Sequence, residues 1–62
     1  MNAIEASERL RVLENAIKAL DYSIEEANRR ADVYGRHALR VLLSEVTMER
    51  DELKRKLSEV SI

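Results

Sequence analysis

The stretch that decides the fold lies in the middle of the 62-residue chain and reads Tyr34-Gly35-Arg36-His37-Ala38-Leu39. It holds the only glycine of a chain that has no proline. Glycine reaches the left-handed conformation that ends many helices without a steric penalty. Gly35 is therefore where we expect one helix to stop and the chain to reverse.

Before this stretch, apolar residues recur at alternating spacings of four and three, which places them on one stripe of an α-helix. Asn2 and Glu5 match a capping box and predict a helix start near Ala3. We expect this helix over 3–34, with Tyr34 closing the end of the core. The stripe consists of Ala6, Leu10, Leu13, Ile17, Leu20, Ile24, Ala27, Ala31 and Tyr34.

After Gly35 a second stripe follows, out of phase with the first by one residue. Continuing the first frame would place three charged residues in the core, so the phase must change within the quoted stretch. The second stripe predicts a helix over 36–60 and a single all-α domain over 1–62. Its members are Leu39, Leu43, Val46, Arg50, Leu53, Leu57 and Val60.

A reversal centred on Gly35 packs the two stripes as an antiparallel, coiled-coil-like hairpin. The alternative is one uninterrupted helix of about 90 Å, at 1.5 Å per residue, because glycine costs a helix interior only about 1 kcal/mol. We favour the hairpin because opposite charges then flank its seam, and Arg50 comes near Asp21. The flanking pairs are Arg11 with Glu59, Glu14 with Lys56, and Lys18 with Glu52; Leu10 would face Val60.

The composition excludes several classes of protein. There is no cysteine and one histidine, so disulfides and a structural zinc site are ruled out. Charged residues make up 37% and aromatic residues 3%, as is typical of long helices. The net charge is −1, and the longest apolar run, Val41-Leu42-Leu43, is far too short for a membrane span. We expect a soluble, cytoplasmic protein.

A chain of this size has a core worth only roughly 3–5 kcal/mol and needs a further source of stability. Apolar residues outside the stripes indicate self-association, most simply as a homodimer of two hairpins in a four-helix bundle. The alternative is that the same residues bind a different protein. The candidate protein-interface residues are Val12, Ala16, Ala19, Tyr22, Val41, Leu42 and Met48.

Catalysis and cofactor binding are not indicated. The helical neighbours of His37 include no second metal ligand or catalytic partner, and no serine or threonine stands in a triad-like pattern. The carboxylates lie among lysines and arginines on polar faces. We therefore expect no enzyme activity, no metal and no cofactor.

Four arginines flank the expected turn, two on each side, and could contact phosphates there: Arg29, Arg30, Arg36 and Arg40. In size and expected architecture the chain is similar to the plasmid RNA-binding hairpin Rop, a likeness of shape without shared motifs. That likeness implies RNA binding as an alternative function.

The pattern favours a small protein-binding regulator or adaptor acting as a hairpin homodimer, such as a bacterial or phage inhibitor of a host protein. Nucleic-acid binding through the arginine-rich turn is one alternative. A structural coiled-coil segment of a larger assembly is the other.

Overall fold

The computed structural model describes residues 2–60, without the side chain of Val60. It consists of α1 (Ala3–Arg29) and α2 (Val33–Val60). The two helices pack against each other as an antiparallel hairpin with extents of 47 × 15 × 14 Å. The expected all-α hairpin is therefore confirmed.

The start of α1 is fixed by the residue that precedes it. Asn2 has an extended backbone, and its side-chain oxygen accepts a hydrogen bond from the Glu5 amide at 2.8 Å. This satisfies one of the amide groups that a helix start leaves without a partner. The predicted start near Ala3 is confirmed.

The reversal lies at Arg30–Asp32, where α1 ends in a Schellman motif. The Asp32 amide donates to the Ala27 carbonyl at 2.9 Å, and the Ala31 amide donates to the Asn28 carbonyl at 3.1 Å. Both bonds use carbonyls that the helix end leaves unpaired. The motif needs a left-handed residue at its last but one position, and Ala31 takes that conformation with φ of 55°.

Asp32 then starts α2. Its carboxylate oxygen Oδ1 accepts a hydrogen bond from the Gly35 amide at 2.9 Å, and its carbonyl accepts one from the Arg36 amide at 2.9 Å. This is the N-cap arrangement that aspartate favours. A Cβ added to Gly35 would overlap the Asp32 carboxylate, so glycine leaves room for the cap.

The expected turn at Gly35 and the expected boundaries at 34 and 36 are thus wrong. Gly35 lies in the first turn of α2, and its φ is not positive. The left-handed residue is Ala31, because the hydrogen bonds of the Schellman motif and the Asp32 cap offset the strain of an alanine there. Tyr34 is 90% exposed and does not close the core.

Most of the predicted seam is observed. Among the residues whose burial is described, the buried ones are all on α1: Ala6, Leu13, Ile24 and Ala27. The facing stripe of α2 is half-buried at Leu39, Leu43, Val46, Arg50, Leu53 and Leu57. Ala31, expected in the seam, is exposed in the turn. The expected contact of Leu10 with Val60 involves the Val60 side chain, which is not among those described.

The register differs from the expected one because the turn comes four residues earlier. Each residue of α1 therefore lies opposite an α2 residue about one heptad before its expected partner. The two apolar stripes still face each other, but with different residue pairs. Arg36 Nη1 donates to Asn28 Oδ1 at 3.0 Å close to the turn. Further along, Arg9 forms a salt bridge with Glu49 at 2.9 Å.

The expected cross-seam charge pairs are replaced by pairs within α2. Lys56 lies 3.6 Å from Glu52, and Arg55 lies 3.1 Å from Glu59. Arg50 pairs with its neighbour Asp51 at 2.9 Å instead of with Asp21.

Candidate protein-binding surfaces

One broad face of the hairpin is marked by the salt bridge between Arg9 and Glu49, which joins the two helices across it. A helix returns to the same side every three to four residues. Counting in such steps from Arg9 along α1, and backward from Glu49 along α2, identifies the residues that share this side. We call them the groove face: Val12, Ala16, Ala19, Ser23, Ala38 and Leu42.

The groove face is apolar and shallow. Val12 is 55% exposed and Leu42 is 49% exposed, whereas Ala16 and Ser23 are half-buried beside the seam. Four of its six residues are alanine or serine, so another helix could approach closely. The structure thus brings together four of the predicted interface residues: Val12, Ala16, Ala19 and Leu42.

The rim of the groove face is acidic. The same helical steps place five glutamates on it and three basic residues: Arg9, Lys56 and Arg30, the C-cap of α1. Arg9 and Lys56 already have carboxylate partners, Glu49 and Glu52 respectively. The glutamates of the rim are Glu5, Glu26, Glu45, Glu49 and Glu52.

Two other predicted interface residues, Val41 and Met48, lie on a separate surface. Together with Tyr34 they are spaced by seven residues along the side of α2 that faces away from α1. We call these three residues the outer stripe. Their exposed fractions are 90% for Tyr34, 45% for Val41 and 69% for Met48.

Each end of the outer stripe lies in a shallow depression, and the two depressions differ in charge. The one at Met48 is lined also by Glu45, Glu49, Asp51, Glu52 and Arg55. The one at Tyr34 is lined also by Val33, Arg36, His37 and Arg40. From Ala27 to Ser44 the only acidic residue is Asp32, which caps α2.

The four candidate phosphate-contacting arginines are divided among α1, the turn and α2. Arg29 is paired with Glu26 on α1, and Arg30 lies in the turn. Arg36 and Arg40 line the depression beside Tyr34, with Arg36 also bonded to the neutral Asn28 side chain. Arg40 has no carboxylate partner within the described residues.

The remaining predicted interface residue, Tyr22, is not part of either surface. It is 64% exposed and stands two positions from both Leu20 and Ile24, about half a turn round the helix from the seam. Ile4, 73% exposed, lies on the same side of α1. Tyr34 was missed as a surface residue, although its spacing of seven from Val41 and Met48 is visible in the sequence.

Within residues 2–60, no three histidine, aspartate or glutamate side chains converge as metal ligands would. Neither α1 nor the described part of α2 is long and apolar enough to cross a membrane. The absence of an enzyme activity or cofactor, and the cytoplasmic location, stay predictions.

Comparison with known proteins returned no match to a family model, to a curated protein or to a solved structure.

Proposed function

We propose that this protein is a non-enzymatic regulator or adaptor that binds an amphipathic helix of a partner protein on its groove face. The observation that carries the proposal is the placement of Val12, Ala16, Ala19 and Leu42 on one side of the hairpin. A groove between two helices is a common receptor for a third, and such binding masks the partner's own apolar face.

The chemistry of the groove face specifies the partner. Small side chains let a helix approach to about 8 Å between axes, the short end of the usual range. The exposed parts of Val12 and Leu42 offer apolar area worth about 25 cal/mol per Å² once covered. The acidic rim favours lysine and arginine on the flanks of the incoming helix and disfavours acidic flanks. The fitting partner is a basic amphipathic helix.

A pair of synthetic 20-residue helical peptides tests this proposal. Both carry the same leucine face, but one has lysines and the other has glutamates on its polar face. We expect fluorescence anisotropy to show at least about tenfold tighter binding of the lysine peptide, or about 1.4 kcal/mol. Equal affinity for the two peptides would contradict the charge argument.

Two matched variants locate the binding surface. Leu42→Asp puts a charge in the groove face and should abolish binding of the lysine peptide. Tyr22→Asp changes a similarly exposed apolar residue on the far side of α1 and should leave the affinity unchanged. If Leu42→Asp binds as the unmodified protein does while its circular dichroism is native, the groove face is not the site.

Nucleic-acid binding is the second candidate function, and the exposure of Tyr34 supports it. An exposed tyrosine can stack on a base while Arg36 and Arg40 contact phosphates. With a single-stranded RNA probe, four arginine–phosphate contacts predict a slope of log affinity against log salt of about −3. A slope near zero, or unchanged affinity in Tyr34→Ala with Arg40→Gln, would exclude this function.

The proposed regulator acts as a hairpin homodimer. The described part of α2 has no buried residue, and α1 leaves five of its large apolar residues exposed: Val33, Tyr34, Val41, Leu42 and Met48. A second copy is the simplest cover for a chain of this size. A solution-mass measurement of the full chain tests this part of the proposal directly.

A further inference from the structure

The outer stripe of α2 is symmetric about its middle residue. Val41 follows Tyr34 by seven residues and precedes Met48 by seven. If two α2 helices pack antiparallel with a two-fold axis at Val41, each Tyr34 comes level with Met48 of the other copy. A dimer with two-fold symmetry requires this kind of self-complementary surface.

The charges on the outer side of α2 follow the same symmetry. The half before Val41 has Arg36, His37 and Arg40 beside the exposed Tyr34. The half after Val41 has Glu45, Glu49, Asp51 and Glu52 beside the exposed Met48, together with one basic residue, Arg55, which is paired with Glu59. Antiparallel packing lays the basic half of one helix on the acidic half of the other, whereas parallel packing opposes like charges.

The side-chain chemistry at the two depressions also matches. Tyr34 is a large aromatic residue with a polar tip, and at 90% exposure it projects from the hairpin. Met48 is an adaptable thioether side chain that packs favourably against aromatic rings. The carboxylates around Met48 can accept a hydrogen bond from the tyrosine hydroxyl.

We propose that two copies of this chain associate through the outer stripe, antiparallel, with Val41 at the two-fold axis and Tyr34 in the acidic depression at Met48 of the other copy. This rests on the homodimer of the proposed function and adds where the copies meet. The groove faces lie to the side of this contact, so that their apolar residues stay available to a partner helix, while Glu45, Glu49 and Glu52 of the rim also line the depression at Met48.

Single-cysteine crosslinking of the full chain tests the position of the axis. The chain has no cysteine, so Val41→Cys introduces one thiol per copy. At a two-fold axis the two thiols meet, and mild oxidation with diamide should give a disulfide-linked dimer on a non-reducing gel. Val12→Cys, on the exposed groove face, is the matched control and should stay monomeric on the gel.

The outcomes separate this inference from the proposed homodimer. A native mass of twice the chain mass, with crosslinking at position 41 and not at 12, supports both. A dimer that crosslinks at 12 and not at 41 overturns the outer-stripe contact but keeps the homodimer. A monomer at every concentration overturns both, and peptide binding to the groove face can still be measured.

A charge exchange tests the orientation of the two copies. His37 precedes Val41 by four residues and Glu45 follows it by four, so the two come level only across the axis. His37→Glu should weaken the dimer about tenfold by opposing Glu45 of the other copy, and adding Glu45→Lys should restore it. Within one copy the two positions are about 12 Å apart along the helix, too far to pair.

An RNA-binding role for the same residues would give a different result. If Tyr34→Ala and His37→Glu leave the native mass unchanged but abolish retention of a single-stranded RNA probe, the Tyr34 depression serves nucleic acid and the dimer inference is overturned.

Discussion

The two helices are nearly equal in length, yet they differ in how well each is covered. α1 contains four buried residues, whereas the described part of α2 contains none. The apolar seam of α1 is narrow, and α2 alone is wide enough to cover it. α2 has apolar residues on its seam, on the groove face at Leu42 and on the outer side at Val41 and Met48. One neighbouring helix cannot cover three sides, so α2 is the helix with capacity for further partners.

The largest expected effect is the loss of stability on truncating a seam leucine, and this loss should be greater in α1 than in α2. Leu13 is 3% exposed, and Leu13→Ala should destabilise the hairpin by about 3 kcal/mol, within the usual range for a buried leucine. Leu43→Ala, at a half-buried seam position of α2, should cost about half as much. Urea unfolding followed by circular dichroism measures both. Equal losses would mean that α2 is covered as fully as α1.

A smaller effect is expected where α2 begins. Asp32→Ala removes the side chain that accepts the Gly35 amide and should destabilise the protein by about 1 kcal/mol. Asp32→Asn keeps an accepting oxygen and should lose much less. The free energy of unfolding in urea checks both variants, and an unchanged Asp32→Ala would show that the cap contributes nothing to α2.

Combining Asp32→Ala with Gly35→Ala tests whether the two residues interact. Gly35→Ala gains about 1 kcal/mol of helix propensity but forces the Asp32 carboxylate out of its cap position. We expect little net change in the original chain and a gain of about 1 kcal/mol in the Asp32→Ala background. A gain of equal size in both backgrounds would show that the two residues do not interact.

At the end of α1, Ala31→Gly should stabilise the protein by about 1 kcal/mol. Alanine is strained at φ of 55°, and glycine adopts this conformation without that penalty. The midpoint of thermal unfolding should rise accordingly. If the midpoint falls instead, the reversal does not lie at Ala31, and Gly35 would again be the candidate.

The smallest effect concerns the ion pair that joins the helices. The side chains of Arg9 and Glu49 are 47% and 51% exposed, so solvent and salt screen their attraction. A double-mutant cycle with Arg9→Ala and Glu49→Ala should give a coupling energy of about 0.5 kcal/mol at low salt, falling as salt is added. A coupling above about 2 kcal/mol would mean that the groove face is covered in solution.

The periodicity predicted both seam stripes correctly at residues such as Leu13, Ile24 and Leu43, because apolar burial depends on helical spacing alone. The Asn2 cap was also predictable, since its hydrogen bond joins residues three positions apart. The turn was not. Propensity pointed to the only glycine, whereas the reversal uses backbone amide hydrogen bonds of Ala31 and Asp32, which no side-chain pattern marks.

The candidate surfaces were likewise predictable from the sequence only in part. The sequence was enough to identify Val12, Ala16, Ala19, Val41, Leu42 and Met48 as apolar residues outside the stripes. It could not assign them to two surfaces, because that depends on how α1 and α2 are rotated relative to each other. Only the packed hairpin places Leu42 on the same face as Val12 and leaves Tyr34, Val41 and Met48 on the side of α2 that faces away from α1.

The sequence by itself determined that this chain forms two amphipathic helices, because residue spacing sets which side of a helix is apolar. The tertiary structure decided where the chain reverses and hence which residues come level across the seam. A shift of four residues in the turn kept both stripes in contact, since it moved the register by about one heptad. The same shift turned Tyr34 from an expected core residue into the most exposed large apolar side chain of those described.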